Sequence, residues 1–432
     1  MAYLPPDHTE RYLLADEVHA RPPEPLDTPS RATYVAVLVD ADDRERELAH
    51  LALLCDRYGV TPPVPGATHF SASLGALRLK WERHGEFSGY TFLAPGRSPE
   101  PFSQPVASLL PPRWLPSVPG RTIVAAHAKL VPAGAEPPDG AELARHFNGN
   151  SPVGAEIGDG AGMAFTDFRV HTDGFSRFLV FDRSFTPRQA GRMLQRLFEI
   201  EVYRMMALLA LPIARRQSPR IVAIEKALAQ LTDGIARDGG NDEELLQELT
   251  RLAAEVESGL AASQFRFGAC RAYDALVRMR IGELRERRIP GIPPIEEFMA
   301  RRFTPAVATC ATVSQRLHDL SERVAQASAL LSTRVDIMRE RQNQALLGSM
   351  DRRAKLQLRL QQTVEGLSVA AIVYYVAGVT GYLAKAAKAF GLHVEPDLIV
   401  GVAIPLVAVL VIREVRHARR RISRDDAAGL ID

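Results

Sequence analysis

The stretch GLSVAAIVYYVAGVTGYLA, Gly366–Ala384, runs for 19 residues without a charged side chain. At a rise of about 1.5 Å per residue it forms a helix of roughly 28 Å, close to the ~30 Å hydrocarbon core of a bilayer. A second uncharged run, LIVGVAIPLVAVLVI at Leu398–Ile412, has 15 residues and covers roughly 22 Å. Buried core helices are the alternative, but they are usually shorter or carry a polar stripe. Together the two runs predict a transmembrane hairpin, in which Pro405 kinks the shorter helix.

The residues around these runs suit the edge of a membrane. Basic side chains that follow each run can extend their charged ends to the lipid headgroups. The predicted interface residues are Lys385, Lys388, Arg413 and Arg416. Ala377 and Gly381 have the small-xxx-small spacing that lets another helix approach closely. With Tyr382, near the end of the first run, they are candidates for helix packing or for lining a pore.

The distribution of basic residues predicts an orientation. The segment before the first run and the tail after the second are rich in arginine, whereas the short loop between them carries both signs of charge. The positive-inside rule places both chain ends in the cytoplasm and the loop outside. The expected location is a membrane that has the cytoplasm on the side of both chain ends. Arginines of the tail would lie near anionic headgroups, each contributing about 1 kcal/mol.

The net charge, the cysteines and the N-terminal segment exclude several classes of protein. A formal net charge of +2 argues against a dedicated nucleic-acid-binding protein. Cys55, Cys270 and Cys310 are scattered and form no C-x-x-C pair, so they indicate neither a zinc site nor a disulfide framework and fit a reducing cytoplasm. The N-terminus has no apolar core of a secretory signal. A cytosolic body before the hairpin is therefore expected.

The domain organisation is predicted from prolines and glycines, which mark the ends of elements, and from changes of hydrophobic period. The fold class is an N-terminal α+β domain with a mainly antiparallel sheet, then long helices as a bundle or stalk, then the two-helix transmembrane hairpin. Prolines are expected to block helix in the N-terminal arm, and Pro219 is expected to open a helix ending near Arg237. The predicted parts are arm 1–30, α+β domain 31–186, helical domain 187–304, stalk helix 305–365, hairpin 366–412 (spans 366–384 and 398–412) and basic cytoplasmic tail 413–432.

The stalk carries an apolar seam with the 3–4 spacing of a coiled coil. Its members include Leu317, Leu320, Val324, Ala327, Leu331, Val335 and Met338. Gln342 and Asn343 interrupt the seam, and it resumes less regularly beyond them. The stalk is therefore expected to pack on helices of its own chain or on a second copy, which makes a homo-oligomer one of the predicted partners.

The segment WERHGEF, Trp81–Phe87, is the densest polar cluster. On a strand, Glu82, His84 and Glu86 would share one face and could bind a divalent metal. The alternative is a solvated face of the strand, and Gly85 permits a bulge that would break the alternation. The chain has no phosphate-binding loop, no H-E-x-x-H and no G-x-S-x-G, so no catalytic or cofactor-binding residue is assigned.

Several strings are familiar together. They are LADEVHARPPE at 14–24, WERHGEF at 81–87, EIEVYRMMALLALP at 199–212 and the long run from Leu330 to Tyr375. In these the chain resembles the bacterial family of uncharacterised, membrane-anchored proteins called DUF3422, a domain of unknown function. The resemblance extends over nearly the whole chain. It implies bacterial origin and attachment to a membrane, and it implies no activity.

The predicted architecture is also similar to that of CorA-type magnesium channels. Those channels combine a cytosolic α/β domain, a long stalk helix, two spans and a basic tail. They carry a Gly-Met-Asn signature at the outer end of the first span, where this chain has Thr380-Gly381-Tyr382-Leu383. The similarity is therefore architectural, and architecture alone does not give function.

Three functions follow as expectations. The first is a non-enzymatic, membrane-anchored protein whose cytosolic body binds an unknown protein partner or senses a signal. The second is an oligomeric CorA-like cation channel or transporter, although neither predicted span carries an ionisable residue. The third is a metal-dependent enzyme that uses Glu82, His84 and Glu86.

Overall fold

The structure, a computed structural model, describes residues 5–17, 22–98, 102–134, 138–236, 242–389 and 395–428. The chain divides into two compact units, residues 1–329 and residues 330–432. The division falls inside one long helix, because residues 304–389 are helical without a break. The domain boundaries expected from the sequence remain predictions.

The first unit contains an eight-stranded sheet, which confirms the α+β prediction. Its strands lie in the order β2-β3-β4-β1-β5-β8-β7-β6, and the β5–β8 pair is the parallel one. The strands are β1 Ser30–Leu38, β2 His69–Leu74, β3 Leu77–Arg83, β4 Phe87–Pro95, β5 Arg121–Pro132, β6 Val153–Ile157, β7 Gly162–Thr166 and β8 Ser176–Asp182. The near-continuous apolar sequence of β1 fits its central place, where both faces are covered.

In the described residues the helices that follow the last strand are long, apart from α7, whereas those that precede it in the chain are short. They are α1 Arg11–Glu17, α2 Arg44–Arg57, α3 Gly140–His146, α4 Pro187–Leu208, α5 Leu211–Ala236, α6 Asp242–Leu284, α7 Ile295–Arg302, α8 Thr304–Ala389 and α9 Pro396–Ala428. The change from strands to long helices follows β8, as the change of hydrophobic period predicts.

Helices cover both faces of the sheet. On one face Leu51 and Leu54 of α2 join the apolar core formed with β1, β3 and β4. On the other face α4 packs through Phe198, whose ring stacks on Tyr34 of β1 at 4.9 Å between centroids. Helix α4 begins with a capping box, in which Thr186 and Gln189 satisfy free backbone amides on either side of Pro187. The sheet is thus held between α2 and α4.

A helical bundle extends the first unit. Arg316 of α8 pairs with Glu225 of α5, and Ser321 of α8 donates to Glu257 of α6 at 2.7 Å. The seam residues of α8 in this unit are buried: Leu317, Leu320, Val324 and Ala327. The predicted stalk seam therefore packs, up to Ala327, on helices of its own chain.

Two sequence expectations are wrong. Helix α5 starts at Leu211 and contains Pro219 instead of starting there. An interior proline costs about 3 kcal/mol, but Ile221, Ile224 and Leu228 are buried along the same helix and offset this cost. Arg237, where this helix was expected to end, lies outside the described residues.

The second correction concerns the N-terminal arm. Prolines were expected to prevent helix there, but α1 is helical. Those prolines lie outside residues 11–17, so the helix needs no proline in its interior. Farther along, residues 22–29 run against the body. The amide of Leu26 donates to the carbonyl of Pro187 at 2.9 Å, and Leu26 is buried. This part of the arm therefore belongs to the α+β layer.

In the second unit α8 continues to Ala389 and α9 begins at Pro396. Gly381 of α8 faces Val400 of α9, and Lys388 lies 3.6 Å from Glu395 across the connection. The two helices therefore form a hairpin, as the sequence predicts.

Candidate functional site

Among the residues that the structure describes, two helices are long and apolar enough to cross a membrane. The stretch that ends at Ala389 has an 18-residue window with mean hydropathy 1.7, and the helix Pro396–Val415 has one with mean hydropathy 2.4. Only 6% of the first window and none of the second is buried in the protein. A core helix of a soluble protein would be mostly covered, so these two helices have the exposure that a lipid environment requires.

The hairpin packs through one face of each helix. On α8 the partly covered positions recur three or four residues apart, at Val373, Ala377, Thr380, Gly381 and Ala384. A β-carbon at Gly381 would lie 3.2 Å from Cγ2 of Val400, so the absent side chain permits this approach. Tyr382 is 77% exposed and points away from α9. Ala377 and Gly381 thus lie on the packing face, and Tyr382 does not.

The predicted interface residues lie at the ends of the apolar segments. Lys385 and Lys388 follow the first segment, and both are exposed, with Lys388 near Glu395. Arg413 is exposed beyond the second segment. The side chain of Arg416 lies outside the described residues. Three of the four predicted residues are therefore exposed at the ends of the apolar segments, and their contact with lipid headgroups remains a prediction.

The structure does not bring Glu82, His84 and Glu86 together as the strand alternation predicts. Strand β3 ends at Arg83, so the three residues do not share one strand face. Glu86 accepts two hydrogen bonds from Arg266 of α6, and the ring of His84 stacks on Phe87. Within the described residues no group of three His, Cys, Asp or Glu side chains is arranged to hold a metal ion.

Glu82 takes part instead in a charged network between the sheet and α4. Lys80 and Glu82 lie on the same face of β3, with Nζ and Oε1 2.9 Å apart and both side chains nearly buried. Lys80 Nζ also donates to Oε1 of Gln195 on α4 at 3.1 Å, and Gln195 donates to Glu199 at 2.8 Å. Each of these buried charges thus has a polar partner, as burial requires.

Helix α6 closes the far end of this network. Arg280 pairs with Glu199, and its guanidinium also donates to Glu283 at 3.1 Å. Burial, followed by the nearby carboxylate of Glu82, raises the pKa of Tyr34 well above its usual value. Burial and Glu199 raise the pKa of Tyr203 in the same direction. Both tyrosines therefore stay neutral hydrogen-bonding groups at any physiological pH.

A small cavity lies at the centre of this network, between β3, β4, α4 and residues 22–29 of the arm. Its polar lining residues are Glu24, Lys80, Glu82, His84, Gln195 and Glu199. The cavity volume is about 30 Å³, enough for about two water molecules. It is too small for an organic substrate.

The sequence pattern singles out Glu82 and His84 of this cavity. It does not single out the polar lining residues Glu24, Lys80, Gln195 and Glu199. Lys80 alternates with Leu79 and Trp81 just as Arg78 does, so the local pattern gives no sign that Lys80 is buried. Gln195 and Glu199 are four residues apart and therefore lie on the same side of α4. They form a polar edge next to the apolar face that contains Phe198 and Val202. Nothing local links them to Lys80, which lies more than 100 residues earlier in the chain.

These features define a class of protein, in which an α+β and helical body is joined by a continuous helix to an apolar two-helix hairpin. The model of the family described as "Protein of unknown function (DUF3422)" matches residues 6–422. The chain belongs to this uncharacterised family, in agreement with the resemblance of its sequence strings. No curated protein and no solved structure matches the chain.

Proposed function

We propose that the protein is a non-enzymatic membrane protein, anchored by α8 and α9, whose body serves as an interaction or sensing module. The observation that carries this proposal is the exposure of the two apolar helices, of which 6% and 0% of the most apolar windows are buried. Such surface in water would cost about 25 cal/mol per Å². A lipid bilayer removes this cost over the whole circumference of the hairpin.

The proposed membrane is the bacterial inner membrane, with both chain ends in the cytoplasm. The supporting observation is the distribution of charge. Arg352, Arg353 and Arg359 precede the first apolar segment on α8, and five further arginines follow Arg413 in the tail. Because cytoplasmic flanks carry the excess of Lys and Arg, both ends of the hairpin belong on that side. Anionic headgroups are the proposed lipid partner of these arginines.

The body offers surfaces for a protein partner. A groove of about 650 Å³ runs beside the segment that follows β4, and its walls are largely apolar. Its lining includes Leu110, Pro111, Pro112, Leu115, Pro116 and Val118. Apolar, proline-rich walls suit a peptide or a protein loop better than a charged small molecule. This groove supports an interaction role for the body.

Deletion of residues 366–432 tests the proposal. The truncated chain is expected to be soluble and folded, whereas the full chain resists extraction from membranes at alkaline pH. Deletion of residues 413–432 alone is the matched control, because it keeps the hairpin and should stay in the membrane. The anchor proposal is wrong if the full chain is extracted, or if the chain lacking 366–432 remains in the membrane fraction.

An oligomeric cation channel is the second candidate, favoured by the stalk part of α8. This part, residues 336–364, carries many large apolar side chains that are between 44% and 70% exposed. They are Ile337, Met338, Leu346, Leu347, Met350, Leu356, Leu358, Leu360 and Val364. A second copy inserted in the same membrane would present the same surface in parallel and could cover these side chains.

The mass of the full chain in detergent, measured by light scattering, tests this second candidate. A channel requires a closed ring of several copies, and cation flux into liposomes should then accompany it. Leu360→Glu should dissociate the assembly, whereas Gln362→Glu places the same carboxylate on the opposite side of the helix and should not. A monomer or an absence of flux under any gradient removes the channel and leaves the anchor proposal intact.

A further inference from the structure

Helices α6 and α8 run antiparallel in the body and are held together by several contacts. Ser321 of α8 donates to Glu257 of α6 at 2.7 Å. A β-carbon at Gly259 of α6 would lie 3.6 Å from Cδ2 of Leu317. Farther along α6, and correspondingly nearer the start of α8, this register places Cys270 opposite Cys310.

The two thiols meet in the interface. The helix register places the Cys270 and Cys310 thiols side by side, and their mutual interaction shifts the pKa values of the two groups in opposite directions. Both side chains are buried, at 2% and 3% exposure. The third cysteine, Cys55, lies in α2 on the far side of the sheet and is also buried. The fold therefore makes one adjacent pair from three cysteines that are scattered in the sequence.

We propose that Cys270 and Cys310 are a disulfide-forming modification site, oxidised by small hydroperoxides. The Cys310 thiolate attacks one peroxide oxygen, the O–O bond breaks, and a sulfenic acid and a water molecule result. The Cys270 sulfur then displaces the sulfenic oxygen as a second water and forms the S–S bond. In total two thiols are oxidised and one hydrogen peroxide is reduced to two waters.

The two thiols differ in their environments. Interaction with the neighbouring Cys270 thiol lowers the pKa of Cys310, because it favours the thiolate. The same interaction, together with burial, raises the pKa of Cys270. Cys310 is therefore the nucleophile, and Cys270, held beside it, is the resolving thiol. Hydrogen peroxide is neutral and small, so it can reach a buried pair during local opening of the helices.

The product would join two elements that otherwise touch through side chains. Cys310 lies in the second turn of α8, the helix that continues into the first apolar segment, and Cys270 lies in the middle of α6. A covalent bond between them fixes the start of α8 to the body. This inference does not depend on the proposed membrane role, since both cysteines belong to the first unit.

Oxidation of the full-length protein tests the inference. The wild-type chain and Cys55→Ser, purified in mild detergent without reductant, are treated with hydrogen peroxide, digested without reduction and analysed by mass spectrometry. Both are expected to yield the peptide pair joined through Cys270 and Cys310, two hydrogen atoms lighter than the separate peptides. Cys310→Ser should yield no such pair, and reduction with dithiothreitol should remove it from the wild type.

Three outcomes would overturn the inference. The first is that both thiols stay reduced in the folded chain and react only after denaturation. The second is that Cys270 or Cys310 is oxidised singly to sulfinic or sulfonic acid without the cross-link. The third is a cross-link that involves Cys55. The wild type and Cys55→Ser decide between these outcomes even if Cys310→Ser fails to fold.

Discussion

Gly191 of α4 lies directly beneath the backbone of Glu24, so closely that a β-carbon at position 191 would overlap the Glu24 carbonyl oxygen. No side chain fits in that space, and the neighbour is backbone that cannot rotate away. The N-terminal segment that covers the polar cavity therefore depends on this glycine. The relationship joins residues far apart in the chain and gives the first prediction.

Gly191→Ala should displace residues 22–29 from α4. Overpacking of this kind costs about 1–3 kcal/mol, partly offset by the roughly 0.5–1 kcal/mol that alanine gains in a helix. Urea denaturation should show the loss, and limited proteolysis should cut within the displaced segment. Gly268→Ala in α6 is the matched control, because its β-carbon would meet ordinary van der Waals contact at 4.0 Å and should not destabilise. Equal behaviour of the two variants would contradict the close contact.

The buried carboxylate of Glu47 should be a large contributor to the stability of the body. It is fully buried on α2 and accepts hydrogen bonds from Trp81 Nε1 at 3.0 Å and from the Tyr90 hydroxyl at 2.8 Å. Glu47→Ala leaves both donors buried without this acceptor, at a cost of about 1–3 kcal/mol for each. Chemical denaturation should therefore show a loss of several kcal/mol.

Two further variants sharpen this second test. Glu47→Gln retains one acceptor oxygen and should lose less stability than Glu47→Ala. Glu45→Ala removes an exposed carboxylate from the same helix, and such surface changes usually stay within about 0.5 kcal/mol. A loss at Glu47→Ala no larger than that at Glu45→Ala would show that the buried carboxylate is not a structural acceptor.

Gly381 should be the glycine of the hairpin at which a larger side chain lowers the stability most. Gly381→Leu pushes a side chain against Val400, whereas a β-carbon at Gly378, three residues earlier on α8, meets nothing within 4 Å, so Gly378→Leu is the matched control. The first change should cost about 1–3 kcal/mol by overpacking. Thermal unfolding in detergent should show a lower midpoint for Gly381→Leu and a nearly unchanged one for Gly378→Leu. The reverse order would mean that another face of α8 packs on α9.

His127 should make the body sensitive to acid. Its ring lies between Thr33 and Phe175, and burial lowers its pKa from 6.5 to about 4. Because the unfolded chain binds the proton more readily, this stability is present above pH 6.5 and is lost as the pH falls toward 4. At about 1.4 kcal/mol per pH unit the loss approaches roughly 3 kcal/mol.

Unfolding free energies measured between pH 7 and pH 4 check this prediction. His127→Asn should have a shallower pH dependence than the wild type, although its stability at pH 7 will be lower. His69→Asn, at an exposed position of β2, is the control and should keep the slope of the wild type. An unchanged slope in His127→Asn would show that this imidazole already accepts a proton in the folded state.

Local patterns predicted the elements better than they predicted the site. The apolar run in β1, the change to long helices after β8 and the uncharged segment in α8 are properties of neighbouring residues, so the sequence reveals them. Strand β2 gives a weaker local signal because it is short and only half covered. Pro219 was misinterpreted because burial of later residues keeps α5 helical through it.

Contacts between distant residues account for the remaining differences. Lys80 meets Gln195, Cys270 meets Cys310 and Glu86 meets Arg266 across long separations in the chain. One sequence gives no sign of such pairs without homologues to compare. The expected metal cluster is a different case, because Glu82 and His84 line one cavity whereas Glu86 accepts hydrogen bonds from Arg266 of α6.

The most direct test of the account is the side of the membrane on which the hairpin loop lies. Two single variants at exposed positions, Asp397→Cys and Gln361→Cys, are treated in intact cells with a membrane-impermeant maleimide. The native cysteines are buried in the body, so the unaltered chain serves as the background. In intact cells we expect labelling at position 397 alone. Position 361 should be labelled only after the cells are lysed. Labelling of both positions in intact cells, or of neither until lysis, would contradict a hairpin that spans the membrane.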